Sequence, residues 1–211
     1  MLNGMAPEGG VGGVIFLVPK RAADVPLTRI SASYDSTARL GTHLDVGRRF
    51  GADNEWGIRV NGLYRKGEGP IEGQNRDLRT GSVALDYRGE RFRIALDSYA
   101  QKDRSDGGIY GISFVGAPGR VPDFSKPIGL GDSSKLDDRT VMFRGEYDIS
   151  TEITAFAAYG RHQSSIFGTR LVVGGVASDG SYRGGFSLQD SAFKIHTGEA
   201  GLRTNFTTGA V

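Results

Sequence analysis

Apolar and polar residues alternate one for one through most of this chain. Ile30, Ala32 and Tyr34 fall on one face of an extended segment whose other face carries Arg29, Ser31 and Ser33. The pattern returns from Arg39 to Phe50, where Leu40, Thr42, Leu44 and Val46 oppose Arg39, His43, Asp45 and Arg49. From Trp56 onward, Ile58, Val60, Gly62 and Tyr64 alternate with Arg59, Asn61 and Arg65. A period of two is that of a β-strand with two unlike faces. Arg79 to Arg88, Phe92 to Gln101, Thr140 to Ile149 and Ile153 to Arg161 repeat it. An eighth segment, about Ala192 to Phe206, loses phase between Ile195 and Leu202, which predicts a β-bulge or a strand that begins elsewhere. No stretch keeps a helical period, so the expected fold class is all-β.

The connections alternate in length. Phe50 to Trp56, Tyr87 to Phe92 and Tyr147 to Ile153 read as short turns. Lys66 to Leu78, Lys102 to Arg139 and His162 to Ser191 read as long links. Short turns at one end and long loops at the other describe an up-and-down antiparallel transmembrane β-barrel. Aromatic residues agree: Phe50, Trp56, Tyr87, Phe92 and Tyr147 flank the short turns, and Tyr64 follows Trp56 on the same face eight residues on. That separation is about 27 Å along a strand, or about 20 Å of depth at barrel tilt, near the height of a lipid-facing band. A soluble β-sandwich used for binding or adhesion is the competing all-β architecture, its aromatics filling a core instead of facing lipid.

Composition removes other classes. The chain has 211 residues, 33 glycines, no cysteine and a formal net charge of +2. Without cysteine there is no disulfide, thiolate metal site or thiol nucleophile. The scattered basic residues form no run that would bind nucleic acid. His43, His162 and His196 lack ligand spacing, and no triad or paired-carboxylate pattern stands out, so the expectation is a protein that is not an enzyme and has no cofactor or metal site. No window reaches the roughly 20 apolar residues of a membrane-spanning helix, which leaves a β-barrel untouched. The first residues, Met1 to Gly4, lack the charged start and apolar centre of a signal peptide, so a membrane reading implies a piece of a longer protein.

The stretch Leu2 to Arg21, LNGMAPEGGVGGVIFLVPKR, concentrates five glycines ahead of the apolar run Val14 to Val18. A strand follows the glycines and no GK[ST] is present, which argues against a phosphate loop. The stretch resembles the end of the plug domain in TonB-dependent ferric-siderophore receptors of the bacterial outer membrane. The order of short turns, the long third outer loop, Tyr147-Asp148-Ile149-Ser150-Thr151-Glu152 and the final Asn205-Phe206-Thr207-Thr208-Gly209-Ala210 extend that resemblance over nearly the whole chain.

The resemblance implies two parts: residues 1–26 as the C-terminal end of a plug with its linker, and residues 27–211 as the first part of a barrel, about eight strands of about 22. It also implies an outer-membrane location and a ferric-siderophore ligand, with iron entering only inside its chelator. The partners would be outer-membrane lipid and, in the full-length protein, the TonB complex that drives uptake. Asn3 and Met5 at the plug apex, and Tyr110 and Phe114 in the third outer loop, would contact the ligand. Asn3 stands where the family carries an aromatic residue, and Phe16 where the plug strand carries asparagine. Cobalamin or an oligosaccharide is the alternative nutrient within the same family.

Overall fold

The structure, a computed structural model, describes residues 19–35, 38–107, 123, 125–126 and 132–205. Within them the alternating segments form eight strands: β1 (Leu27–Asp35), β2 (Arg39–Phe50), β3 (Trp56–Glu68), β4 (Asn75–Arg88), β5 (Phe92–Asp106), β6 (Ser133–Asp148), β7 (Ile153–Val173) and β8 (Gly184–Thr204). They lie in chain order in one sheet, each antiparallel to its neighbours. A single sheet, with no second sheet facing it among the described residues, is not a sandwich.

Residues directly opposite in an antiparallel pair share a face, so the register carries each strand's two-sidedness across the sheet. Leu44 pairs with Gly62, Val46 with Val60, Val60 with Val83, Leu85 with Leu96 and Leu96 with Phe143. One face is therefore apolar and exposed. On the other face Asp45 pairs with Asn61, Asn61 with Ser82, Ala84 with Asp97 and Arg93 with Glu146. Among the described residues the apolar face has no covering layer: Val141, Phe143, Phe92 and Tyr147 are all exposed, and no large side chain is fully buried.

At the short-turn end the aromatic residues touch in sequence. Phe50 stacks on Trp56 at 6.5 Å, Trp56 meets Tyr87 at 4.8 Å and Tyr87 meets Phe92 at 6.5 Å. The turns beneath them, 51–55, 89–91 and 149–152, are short and locally bonded. Gly51 takes a φ of +100° and Asn54 one of 53°, conformations in which glycine and asparagine are favoured. The Ser150 hydroxyl accepts from the backbone N–H groups of Glu152 (3.2 Å) and Ile153 (3.1 Å).

Two expectations need correcting. Every long link is shorter than the sequence pattern indicates, because the strands run past the alternating segments. They leave 69–74, 107–132 and 174–183 as the connections at that end. Towards the long-loop end Lys66, Asp77, Lys102 and Asp137 occupy the face that is apolar nearer the short turns, so the apolar alternation disappears while the pairing continues. The eighth strand has no bulge: its register runs unbroken from Ile153 opposite Thr204 to Val173 opposite Gly184. The other alternative holds: the strand begins elsewhere, at Gly184. The loss of phase comes from Phe193 and Ile195, apolar residues on the polar face opposite Ser164 and His162, with the Phe193 ring 5.7 Å from the His162 ring.

Candidate functional site

Residues 19–26 form no strand and are bound to the polar face of the sheet. Their backbone carbonyls are held by arginines of β2 and β3. Arg59 Nη1 donates to the Arg21 carbonyl at 2.9 Å, and Arg49 Nη1 to the Ala22 carbonyl at 3.1 Å. The strap donates in return: Arg21 Nη2 lies 2.6 Å from the Asp97 carboxylate of β5 and Nη1 donates to the Leu85 carbonyl at 3.4 Å. Asp24 pairs with Arg88, and Ala22 is buried beside Gly47.

The arginines that hold the strap are themselves fixed. Arg59 forms a two-pronged pair with Asp45, at 2.9 and 2.7 Å. Arg49, whose side chain is 2% exposed, lies 2.8 Å from Asp86 and also donates to the carbonyls of Asn54 (2.6 Å) and Glu55 (3.0 Å). Low exposure requires partners for such charges, and bidentate geometry fixes their orientation. Nearer the short turns, Arg93 binds Asp148 at 2.6 and 2.7 Å and Glu146 at 3.2 Å.

Two concavities open on this face beside the strap. One, of about 520 Å³, is lined by Lys20, His43, Asp45, Asn61, Tyr99 and Thr140. The other, of about 350 Å³, lies between Arg21, Arg93, Asp97, Met142 and Glu146. Asp86 Oδ1 and Asp97 Oδ1 are buried without a hydrogen-bond partner among the described residues, so each can accept one more donor. Among the described residues no group of His, Asp or Glu is arranged to hold a metal ion.

At the opposite end the loop roots are tied together. Gly107, at φ +77°, donates its N–H to the Asp132 carbonyl at 2.7 Å, closing the neck of the longest loop. Gln74 Nε2 donates to the Gly107 carbonyl at 3.1 Å, and the Glu72 N–H to the Ser125 carbonyl at 2.8 Å, so 69–74 braces that loop. The Asp132 carboxylate accepts the Leu171 N–H. Within the loop, the Ser125 hydroxyl and N–H hold the Asp123 carboxyl below the ordinary carboxylate range.

The four residues expected to contact a ligand, Asn3, Met5, Tyr110 and Phe114, lie outside the described residues. What sequence reading missed is the strap's anchorage. Arg21 and Asp97 are 76 residues apart, and Arg59 and Arg21 are 38 apart. The only hint was that Arg49, Arg59 and Asp97 repeat on the polar side of their strands.

No family model matches the sequence. The ferrichrome receptor FcuA of Yersinia enterocolitica is 36% identical over 228 residues, an alignment that takes in 94% of this chain and 29% of that protein. Among solved structures, the ferric preacinetobactin receptor BauA of Acinetobacter baumannii is 37% identical with a TM-score of 0.88, over 99% of this chain and 32% of that one. The closed form of the ferric-catecholate import receptor Fiu of E. coli K12 shares the fold, with a TM-score of 0.74 at 19% identity over 90% of this chain and 30% of its own. The chain spans about a third of the length of these relatives.

Proposed function

Because the chain belongs to the TonB-dependent siderophore-receptor family, we propose that it supplies barrel wall to an outer-membrane receptor that takes up a ferric siderophore with energy from the TonB complex. The observation that carries this reading is the two-faced sheet. Its apolar face is exposed and edged by a row of neighbouring aromatics, as lipid requires, and its polar face holds the 19–26 strap through the buried side chain of Arg49 and the half-buried Arg59. In this reading residues 1–26 end a plug and residues 27–211 begin the barrel. The strap is then the tether by which the wall holds the plug while TonB draws on the plug from the periplasm.

The ligand arrives as a closed iron chelate, so the receptor needs a concave mouth with aromatic walls and a few donors, not metal-ligating side chains. Asn3 and Met5 would meet it from below, and Tyr110 and Phe114 from the loop braced at Gly107 and Asp132. In the receptor containing this segment, Tyr110→Ala is expected to weaken binding of the cognate ferric siderophore about tenfold, on the order of 1.4 kcal/mol, read by intrinsic fluorescence quenching. Uptake of radiolabelled iron from a panel of ferric siderophores, by iron-starved cells with and without an active TonB complex, tests the whole reading. TonB-dependent uptake of at least one is expected. Uptake of none, with the protein recovered from cells without detergent, would overturn it.

A further inference from the structure

We propose that the larger concavity beside the strap is an inner anion site, which takes the anionic oxygens of a ferric chelate after it has left the mouth. This rests on the receptor reading proposed above. Arg29 of β1 pairs with Asp45 of β2, and from there one cross-sheet row runs through Asn61, Ser82, Tyr99 and Thr140 to His162. Every side chain in that row can form hydrogen bonds. Lys20 of the strap and His43, two residues from Asp45 on the same face of β2, join the lining of this space of about 520 Å³. Its volume is that of a small-molecule site.

The donors in it are uncommitted. Among the described residues the side chains of Lys20, Arg29 and His43 form no ion pair or hydrogen bond, and neither do the Asn61 amide and the Ser82 hydroxyl. The two carboxylates that line the same space are engaged: Asp45 accepts both prongs of Arg59, and Asp97 is paired with Arg21 at 2.6 Å. Arginines thus offset both negative charges, and Lys20 and Arg29 leave the concavity with an excess of positive charge. A concave wall of one sign concentrates ions of the other. Donors with no prior partner then bind an oxyanion without breaking another bond. The far end of the row is fixed beforehand, because Tyr99 donates to Gln101 and Thr140 Oγ1 lies 2.8 Å from His162 Nδ1.

Depth separates this site from the mouth. Ser134, at the root of the longest loop, and Thr140 lie on one face of β6, about 20 Å apart along the strand. The strap is held by Arg59 and Arg49, both nearer the short turns than the polar row. A chelate that enters between the long loops therefore reaches these donors last, against the strap.

The test uses iron-starved cells carrying the receptor that contains this segment. Radiolabelled iron is offered as an anionic tris-catecholate, an anionic hydroxycarboxylate or an uncharged trihydroxamate chelate, and rates are normalised to receptor in the outer membrane. Wild type is expected to take up an anionic chelate with TonB active. Lys20→Gln/Arg29→Gln/His43→Gln should lower that initial rate about tenfold and leave chelate binding to cells without active TonB unaltered. Lys20→Arg/Arg29→Lys keeps the charge and should transport as wild type does. Uptake confined to the uncharged chelate overturns the inference, as does an unchanged rate in the triple variant or an equal loss in the charge-keeping one. A parallel loss of chelate binding to cells without active TonB would put the cations at the mouth and overturn the inner site too. Uptake of no chelate by wild type overturns the receptor reading itself, whereas each of the other outcomes leaves that reading standing.

Discussion

Gly57 stands between Arg49 and Asp86 in the strand order, paired with one on β2 and the other on β4. The two charged side chains meet over it at 2.8 Å. A Cβ at Gly57 would lie 2.5 Å from Arg49 Nη1 and 2.6 Å from Asp86 Oδ1, so any larger residue parts the pair. Removing one partner of a buried pair costs about 3–5 kcal/mol, because the other charge stays behind unpaired. Arg49→Met is expected to lose about that much, and Gly57→Val to lose stability in the same direction, in urea unfolding followed in detergent micelles. A second residue-scale expectation concerns Asp179, in the 174–183 connection between β7 and β8. Its carboxylate accepts from the Ser181 hydroxyl at 2.7 Å and N–H at 2.9 Å, which hold it below the ordinary carboxylate range. A depressed folded value means that the turn is favoured above the ordinary carboxylate range and loses that support as pH falls through the lowered value. Ser181→Ala should move the Asp179 titration upward, read by carboxyl NMR shifts.

At the scale of the strand, length separates what lipid demands from what the sheet uses. A membrane-crossing strand needs about 9–11 residues, yet β7 and β8 each have 21. In the proposed membrane placement the excess would carry the loop roots away from the bilayer. The chain has no native cysteine, so single cysteines can report this depth. Val60→Cys and Leu85→Cys are expected to resist a membrane-impermeant thiol reagent in reconstituted vesicles, whereas Lys102→Cys and Arg104→Cys should label rapidly. Uniform labelling of all four would contradict the lipid-facing band. Sequence reading located the band through Trp56 and Tyr64 and stopped the strands near its edges. Alternation is visible only where one face is apolar, and above the band hydrogen bonding continues through Asp77–Arg104 and Asp137–Lys102 without it.

For the whole molecule, the decisive fact is that β1 and β8 pair only with β2 and β7 among the described residues. Among the described residues, backbone groups on those two outer edges have no strand partner. The described residues also lack a hydrophobic interior, with Ala22, Ala84 and Val176 the buried apolar residues among them. Relatives about three times as long supply the comparison. The 211-residue chain, refolded alone in liposomes, is expected to move no ferric siderophore, measured by trapped radiolabelled iron. Its polar face and strap nevertheless retain the paired geometry that a filled barrel would enclose. The candidate ligand contacts were legible only through resemblance, since Tyr110 and Phe114 sit in a connection whose position no local periodicity dictates.

The sequence by itself determined which side is apolar in the strands that alternate cleanly, how many strands there are, which turns are short and where the lower aromatic level lies. Each of these is written in neighbours two residues apart. The tertiary structure decided strand length, the unbroken register of β8, the convergence of Arg49, Arg59 and Asp97 on the strap, and the polar row from Arg29 to His162. Those depend on which segments lie side by side. Pairing is made by backbone hydrogen bonds that are indifferent to side-chain identity, so partners as far apart as Arg21 and Asp97 leave no periodic trace along the chain.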